Sequence, residues 1–268
     1  MKRLLVGLFL LAAAGAAAQD IYNKARASLN ARDTAAAFTS FQDAVKAGQK
    51  LAESNYYLGA LSFARRRTDD AIGYLKASLK ADDENVDAIK LLGQAMLEKK
   101  DIAEAIAQFR LASKLAPKDC EVSVFYGQAL VAADSTDPAI VQLTRAKECT
   151  PDNPLIYLLL GDAYFKIGVK PLAISNYQKA SELAPKNLDI QLKVARSLAS
   201  NKQYNEAIKA YIVAEEIDST HPDPYLEHGR ILVLAKFYKQ AVAPLWKFVK
   251  LSPKHVEGSV LYAKALFG

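Results

Sequence analysis

Three histidines, two cysteines and a few adjacent acids and bases are the residues of this 268-residue chain whose types could do chemistry. A metal site would need His221, His228 or His255 to stand beside Cys, Asp or Glu at ligand spacing, and no such spacing recurs. His221 and His255 lie at equivalent turn stations and read as solvated, while His228 reads as filler of a packed column beside Gly229. Asp69-Asp70 and Glu215-Glu216 could act as acid and base only if they converged on one substrate. Adjacent residues on a helix point about 100° apart. No glycine-rich phosphate loop and no serine at a nucleophile elbow occurs. The expectation is a protein that is not an enzyme and needs neither cofactor nor metal.

Charge argues against a nucleic-acid role. The formal charge is +6, and the dense basic run is Arg65-Arg66-Arg67, followed at once by Thr68-Asp69-Asp70. Cations closing one helix and anions opening the next match the two helix dipoles, whereas a nucleic-acid module gathers its bases on one face.

The elements that must position these residues repeat. Gly59, Gly93, Gly127, Gly161 and Gly229 are separated by 34 residues or multiples of 34, and the same step lands on Ala25, Ala195 and Ala263. A second small column holds Ala37, Ala71, Ala105, Ala139, Ala173, Ala207 and Ala241. Four residues beyond each stands Phe41, Leu75, Phe109, Leu143, Tyr177, Tyr211 or Leu245, and Pro117, Pro151, Pro185 and Pro253 close four of the repeats. Within residues 154–187, Tyr157, Leu160, Gly161 and Tyr164 fall at i, i+3, i+4 and i+7 and so share one helical face. A small residue on that face lets a neighbouring helix come close. Pro138 and Pro171 suit the first turn of second helices, where a missing N–H costs nothing.

This order of large, small and proline positions resembles the tetratricopeptide repeat, a helix-turn-helix unit of 34 residues. The resemblance covers about Gln19 to the C-terminus. It implies an all-α, right-handed superhelical solenoid of about seven helix-turn-helix repeats plus a C-terminal capping helix. The repeats are expected at about 19–51, 52–85, 86–119, 120–153, 154–187, 188–221 and 222–255, with the capping helix at 256–268. Lys24, Ser28 and Gln49 break the apolar or proline pattern of the first repeat, as a wetter terminal cap requires. Pro244, inside a second helix, is expected to kink or loosen it.

Residues 1–18 carry Lys2 and Arg3, an apolar run from Leu4 to about Ala14, and Ala16-Ala17-Ala18 before Gln19. This reads as a cleavable secretory signal; the rival is a retained N-terminal anchor. Removing it leaves 33 basic against 29 acidic residues. The expected product is exported, most simply to the periplasm, with a peripheral place at the outer membrane as the other option, and with no direct membrane insertion after signal removal.

Cys120 begins a first helix and Cys149 lies near the end of the following second helix, so an antiparallel hairpin would bring them to the same end. Two readings stand: small hydrophobes in a core, or a disulfide in an oxidising compartment. A bond closing about 30 residues would stabilise by roughly 3–4 kcal/mol in the chain-entropy model. Thiol counting under denaturing, non-reducing conditions is expected to find no reactive cysteine, and two reactive thiols would leave the core reading standing.

A second stripe on the first helices, offset from the core stripe, reads Tyr22-Arg26, Tyr56-Phe63, Lys90-Gln94, Val124-Gln128, Leu158-Asp162-Phe165, Leu192-Arg196 and Leu226-Arg230. In tetratricopeptide repeat proteins this stripe lines the concave groove. The resemblance therefore implies a partner-binding floor that is apolar and studded with single polar groups, suited to an extended or helical protein segment. Some family members clamp a C-terminal carboxylate with Lys, Asn and Arg. Only Lys90, Arg26 and Asn30 resemble that set, so the clamp is not carried over. The implied function is a non-enzymatic scaffold or adaptor in the bacterial cell envelope that binds protein or peptide and no nucleic acid. An assembly factor or holdase for secreted chains, and an accessory subunit of an envelope enzyme complex, are the alternatives.

Overall fold

The computed structural model describes residues 21–268, and the signal expected at residues 1–18 lies outside the described residues. Among the described residues every regular element is a helix. The chain falls into two compact halves, divided after Ala133.

The N-terminal half holds α1 (residues 21–30), α2 (Thr34–Lys46), α3 (Leu51–Ala64), α4 (Thr68–Ala81), α5 (Val86–Glu98), α6 (Ile102–Leu115) and α7 (Cys120–Ala132). From α2 onward each helix packs on the next, and α3, α5 and α7 also touch in series. The cores form where the small column of one helix meets the large residue of its hairpin partner. A Cβ on Gly59 would lie 2.7 Å from Leu75, and one on Gly93 would lie 2.7 Å from the Phe109 ring. Phe41, Leu75 and Phe109 are fully buried there. The first repeat is closed by Gln49 rather than proline because its side chain is buried and its Oε1 accepts from the Tyr22 backbone N–H at 3.3 Å.

The C-terminal half holds α8 (Thr136–Cys149), α9 (Pro154–Lys166), α10 (Lys170–Leu183), α11 (Leu188–Ser200), α12 (Tyr204–Ile217), α13 (Pro222–Leu234), α14 (Tyr238–Leu251) and α15 (Val256–Phe267). Each packs on the next, and α13 also meets α15. The same knob recurs, with Tyr177 against Gly161 and Leu245 against Gly229. Pro244 lies within the third helix pair of this half. It is buried inside α14, which runs on unbroken to Leu251, because Leu245 and Phe248 anchor the following turn in the core.

Cys120 opens α7 and Cys149 closes α8, and neither is a free thiol.

The turns carry a feature the sequence hid. Arg32, Arg66, Lys100, Asp134, Gly168, Lys202 and Lys236 all have positive φ, between 59° and 79°. They are one repeat apart, and glycine occupies only one of them. Backbone N–H groups one residue further on reach back five positions, as from Arg67 to Ser62 O at 3.0 Å and from Phe237 to Leu232 O at 2.8 Å. That is the Schellman closure of a helix. It costs non-glycine residues about 1 kcal/mol of backbone strain. The run Arg65-Arg66-Arg67 is absorbed into the same turn. Arg65 donates to Thr34 O at 2.8 Å and lies over Phe38, while Arg67 pairs with Asp70 at 2.6 Å.

Candidate partner-binding stripe

The residues of the offset stripe on the first helices differ in what they offer to a partner. In the N-terminal half Tyr22, Tyr56 and Phe63 are half-buried. Tyr22 meets Phe41 edge-on and Tyr56 meets Tyr57 edge-on. Burial is the main reason the Tyr56 hydroxyl titrates above its ordinary range, with the Asp87 charge adding to it. Gln94 and Gln128 are half-exposed between them. In the C-terminal half Phe165 is 43 % exposed and Leu158 is half-buried. Val124, Leu192 and Leu226 correct the expectation of a uniform floor. All three are buried, Leu192 and Leu226 in the hydrophobic clusters of their half, so they hold repeats together and show a partner little surface.

The charged members are all engaged within the protein. Lys90, on α5, is only 14 % exposed and lies 3.4 Å from Asp87, 3.2 Å from Asp119 and 2.7 Å from Glu121. Burial works against its charge, yet hydrogen bonds to Glu121 and Asp119 outweigh that and raise its pKa. Asp119 also caps α7, accepting from the Glu121 and Val122 N–H groups. Burial raises its pKa, but the Val122 N–H and Lys90 outweigh that and leave it lowered. Asp162 on α9 accepts from the Tyr177 hydroxyl and from Lys193 on α11, each at 2.7 Å. Arg196 pairs with Asp223 at 3.3 Å, and Arg230 with Glu257 at 2.5 Å. Arg26 donates to the Tyr57 hydroxyl and sits over its ring.

Four of these five charges thus bind an opposite charge on the next first helix, 27 to 31 residues further along the sequence. Their partners, Asp119, Glu121, Lys193, Asp223 and Glu257, escaped sequence reasoning, and so did Tyr57. The one signal for them was a charge recurring slightly less than one repeat away. Around Lys90 three carboxylates face one ammonium, so the stripe there is net acidic. A partner carboxylate would be repelled, and an apolar segment carrying Lys or Arg would be favoured.

Two of the histidines have local partners. His228 Nδ1 lies 2.9 Å from Glu215 Oε1 in a largely buried pair, and His255 caps α15 by accepting from the Gly258 N–H. Among the described residues no three His, Cys, Asp or Glu converge as metal ligands. The pair lines a cleft of about 750 Å³ between α12 and α14, with Ile208, Ile212, Tyr225 and Pro244. No helix among the described residues is long and apolar enough to cross a membrane.

Comparison with known proteins agrees with the geometry. One tetratricopeptide repeat model matches residues 22–85 and 158–222, and another matches residues 62–123. No curated protein sequence matches. Among solved structures, the C-terminal part of a tetratricopeptide repeat-containing protein from Cytophaga hutchinsonii is 16 % identical. It aligns over 90 % of this chain and 98 % of its own, with a TM-score of 0.71. PilF of Pseudomonas aeruginosa is 18 % identical over 80 % of this chain and 97 % of its own, with a TM-score of 0.66. YrrB, described as a tetratricopeptide repeat protein with an unusual peptide-binding site, is 18 % identical over 69 % of this chain and 96 % of its own, at 0.60. The matched segments take in more than half of the residues, and with helix pairs recurring every 34 positions the chain belongs to the tetratricopeptide repeat family.

Proposed function

We propose that this protein is a non-enzymatic scaffold of the bacterial cell envelope that holds a protein segment along the stripe of its first helices. The observation that carries the reading is the stripe itself. In the N-terminal half Tyr22, Tyr56 and Phe63, and in the C-terminal half Phe165, stand among charges already fixed by neighbouring helices. Rigid rings give contact area at small entropic cost, and pre-paired charges orient a partner without being ordered anew. The peptide-binding site named for YrrB supports the same use of the fold. Export rests on residues 1–18, where a basic start, an apolar run and three alanines precede Gln19. The acidic surround of Lys90 makes a segment with apolar anchors and basic side chains the favoured ligand.

The test uses Phe165→Ala and Tyr56→Ala, with thermal unfolding and capture of the native partner from envelope extracts measured for each. Phe165 is exposed, so its truncation is expected to leave the melting temperature within a degree or two while removing about 1–3 kcal/mol of partner affinity. Tyr56 packs against the core and should lose some stability as well. Unchanged capture by both variants would remove the stripe as the binding surface.

A further inference from the structure

The last helix ends its half on an apolar face that nothing among the described residues covers. Val256, Val260 and Phe267 are 76 %, 60 % and 90 % exposed, and Ala263 is exposed with them. At 100° per residue these four positions fall within about 60° of one another, so they form one stripe along α15. The opposite face, with Gly258 and Ala265, is the one that packs on α13 and α14.

Sequence register says what the bare stripe is. Ala263 stands in the column of Gly59, Gly93, Gly161 and Gly229, each of which is covered by the large residue of its own second helix. Val260 stands in the column of Val124, Leu192 and Leu226, which are buried, and of Tyr56 and Leu158, which are half-buried, while Phe267 stands in that of Phe63 and Phe165. The outer face of α15 is therefore a packing face by composition. Exposed apolar stripes of this kind mark an interaction surface.

We infer that the occupant is a second copy of this chain, bound through α15 in an antiparallel, two-fold arrangement. The stripe is self-complementary in that arrangement. With the axis midway between Leu261 and Tyr262, Val260 of each copy faces Ala263 of the other, and Val256 faces Phe267, so large meets small along the seam. Glu257, which also accepts from Arg230, and Lys264 lie on the same flank of the stripe, and in an antiparallel pair equivalent flanks face each other, which sets each Glu257 near the other copy's Lys264. Head-to-tail stacking is disfavoured because α1 and α2 expose no large apolar residue to receive the stripe. A closed two-fold pair is the arrangement left. Two 12-residue helices bury less than a standard interface, so the association is expected in the micromolar range, about 1–100 µM.

The test is the mass of the full chain in solution across that range, by sedimentation or light scattering. The wild-type chain is expected to shift from the single mass to the doubled mass as concentration rises. Val260→Glu and Val260→Lys, at an exposed position, should each keep the wild-type melting temperature and stay at the single mass at every concentration. A one-to-one mixture of the two should recover the doubled mass, since the opposed charges then meet across the axis. Lys264→Glu should weaken association several-fold. A wild-type chain that stays single throughout would overturn the proposal, even if α15 binds some other helix. So would doubling that survives Val260→Glu, or a mixture that fails to associate. Val260 and Phe267 carry the first-helix stripe onto α15, but the partner-capture variants at Tyr56 and Phe165 lie on other helices, so loss of doubling and loss of capture are read separately.

Discussion

Phe109→Ala is expected to destabilise the N-terminal half by about 3–5 kcal/mol, the usual cost of emptying a fully buried aromatic site. Phe109 is completely buried, its ring fills the space left by the missing Cβ of Gly93, and it stacks on Phe125 at 6.0 Å between centroids. It therefore links α5, α6 and α7 in one cluster. The cavity cannot close easily, because the backbones on either side are held by their own hairpins. Marginal stabilities are about 5–15 kcal/mol for a domain, so the loss should show as an early partial unfolding of the repeats that share the cluster. Urea unfolding followed by circular dichroism measures it. A loss below about 1.5 kcal/mol would mean that the ring is not the knob described here.

Gly161→Leu carries the second large effect, and its sign is set by two opposing magnitudes. Glycine inside a helix costs about 1 kcal/mol relative to alanine, so filling the position gains something locally. Against this, even a Cβ would lie 2.5 Å from the Tyr177 ring. That ring is 3 % exposed and tied by its hydroxyl to Asp162, so it cannot swing aside. Overpacking of this kind costs about 1–3 kcal/mol and occasionally more, and a leucine brings three carbons beyond Cβ. The net expectation is a loss of about 2 kcal/mol or more. Gly73→Ala is the control, since a Cβ there meets nothing within 4 Å, and that variant should gain up to about 1 kcal/mol. Equal melting temperatures for the two variants would sink the packing argument.

The contrast between these two glycines marks how much of the protein was legible in its sequence. Gly161 sits in a column that recurs every 34 residues, and Gly73 does not. The period alone separates a glycine needed for close approach from one that is incidental. Helix limits, hairpin order and the knobs of the core follow from that period, because each hairpin repeats one local solution and buries its face on the next.

The site was less legible. Lys90, Asp162, Arg196 and Arg230 could be placed on the stripe from spacing, but not their state. Each is neutralised from a neighbouring first helix, and the rotation between successive hairpins decides whether a lysine meets Glu121 or water. Val124, Leu192 and Leu226 share a column with exposed positions and are buried all the same, for the same reason. The left-handed turns were masked because six of the seven carry Arg, Lys or Asp where glycine would have announced them. Sequence by itself determined what is periodic and local: helices, hairpin order and the small-to-large seam. The tertiary structure alone decided what depends on how one hairpin is turned against the next, namely which charges are spent and which apolar residues remain open to a partner.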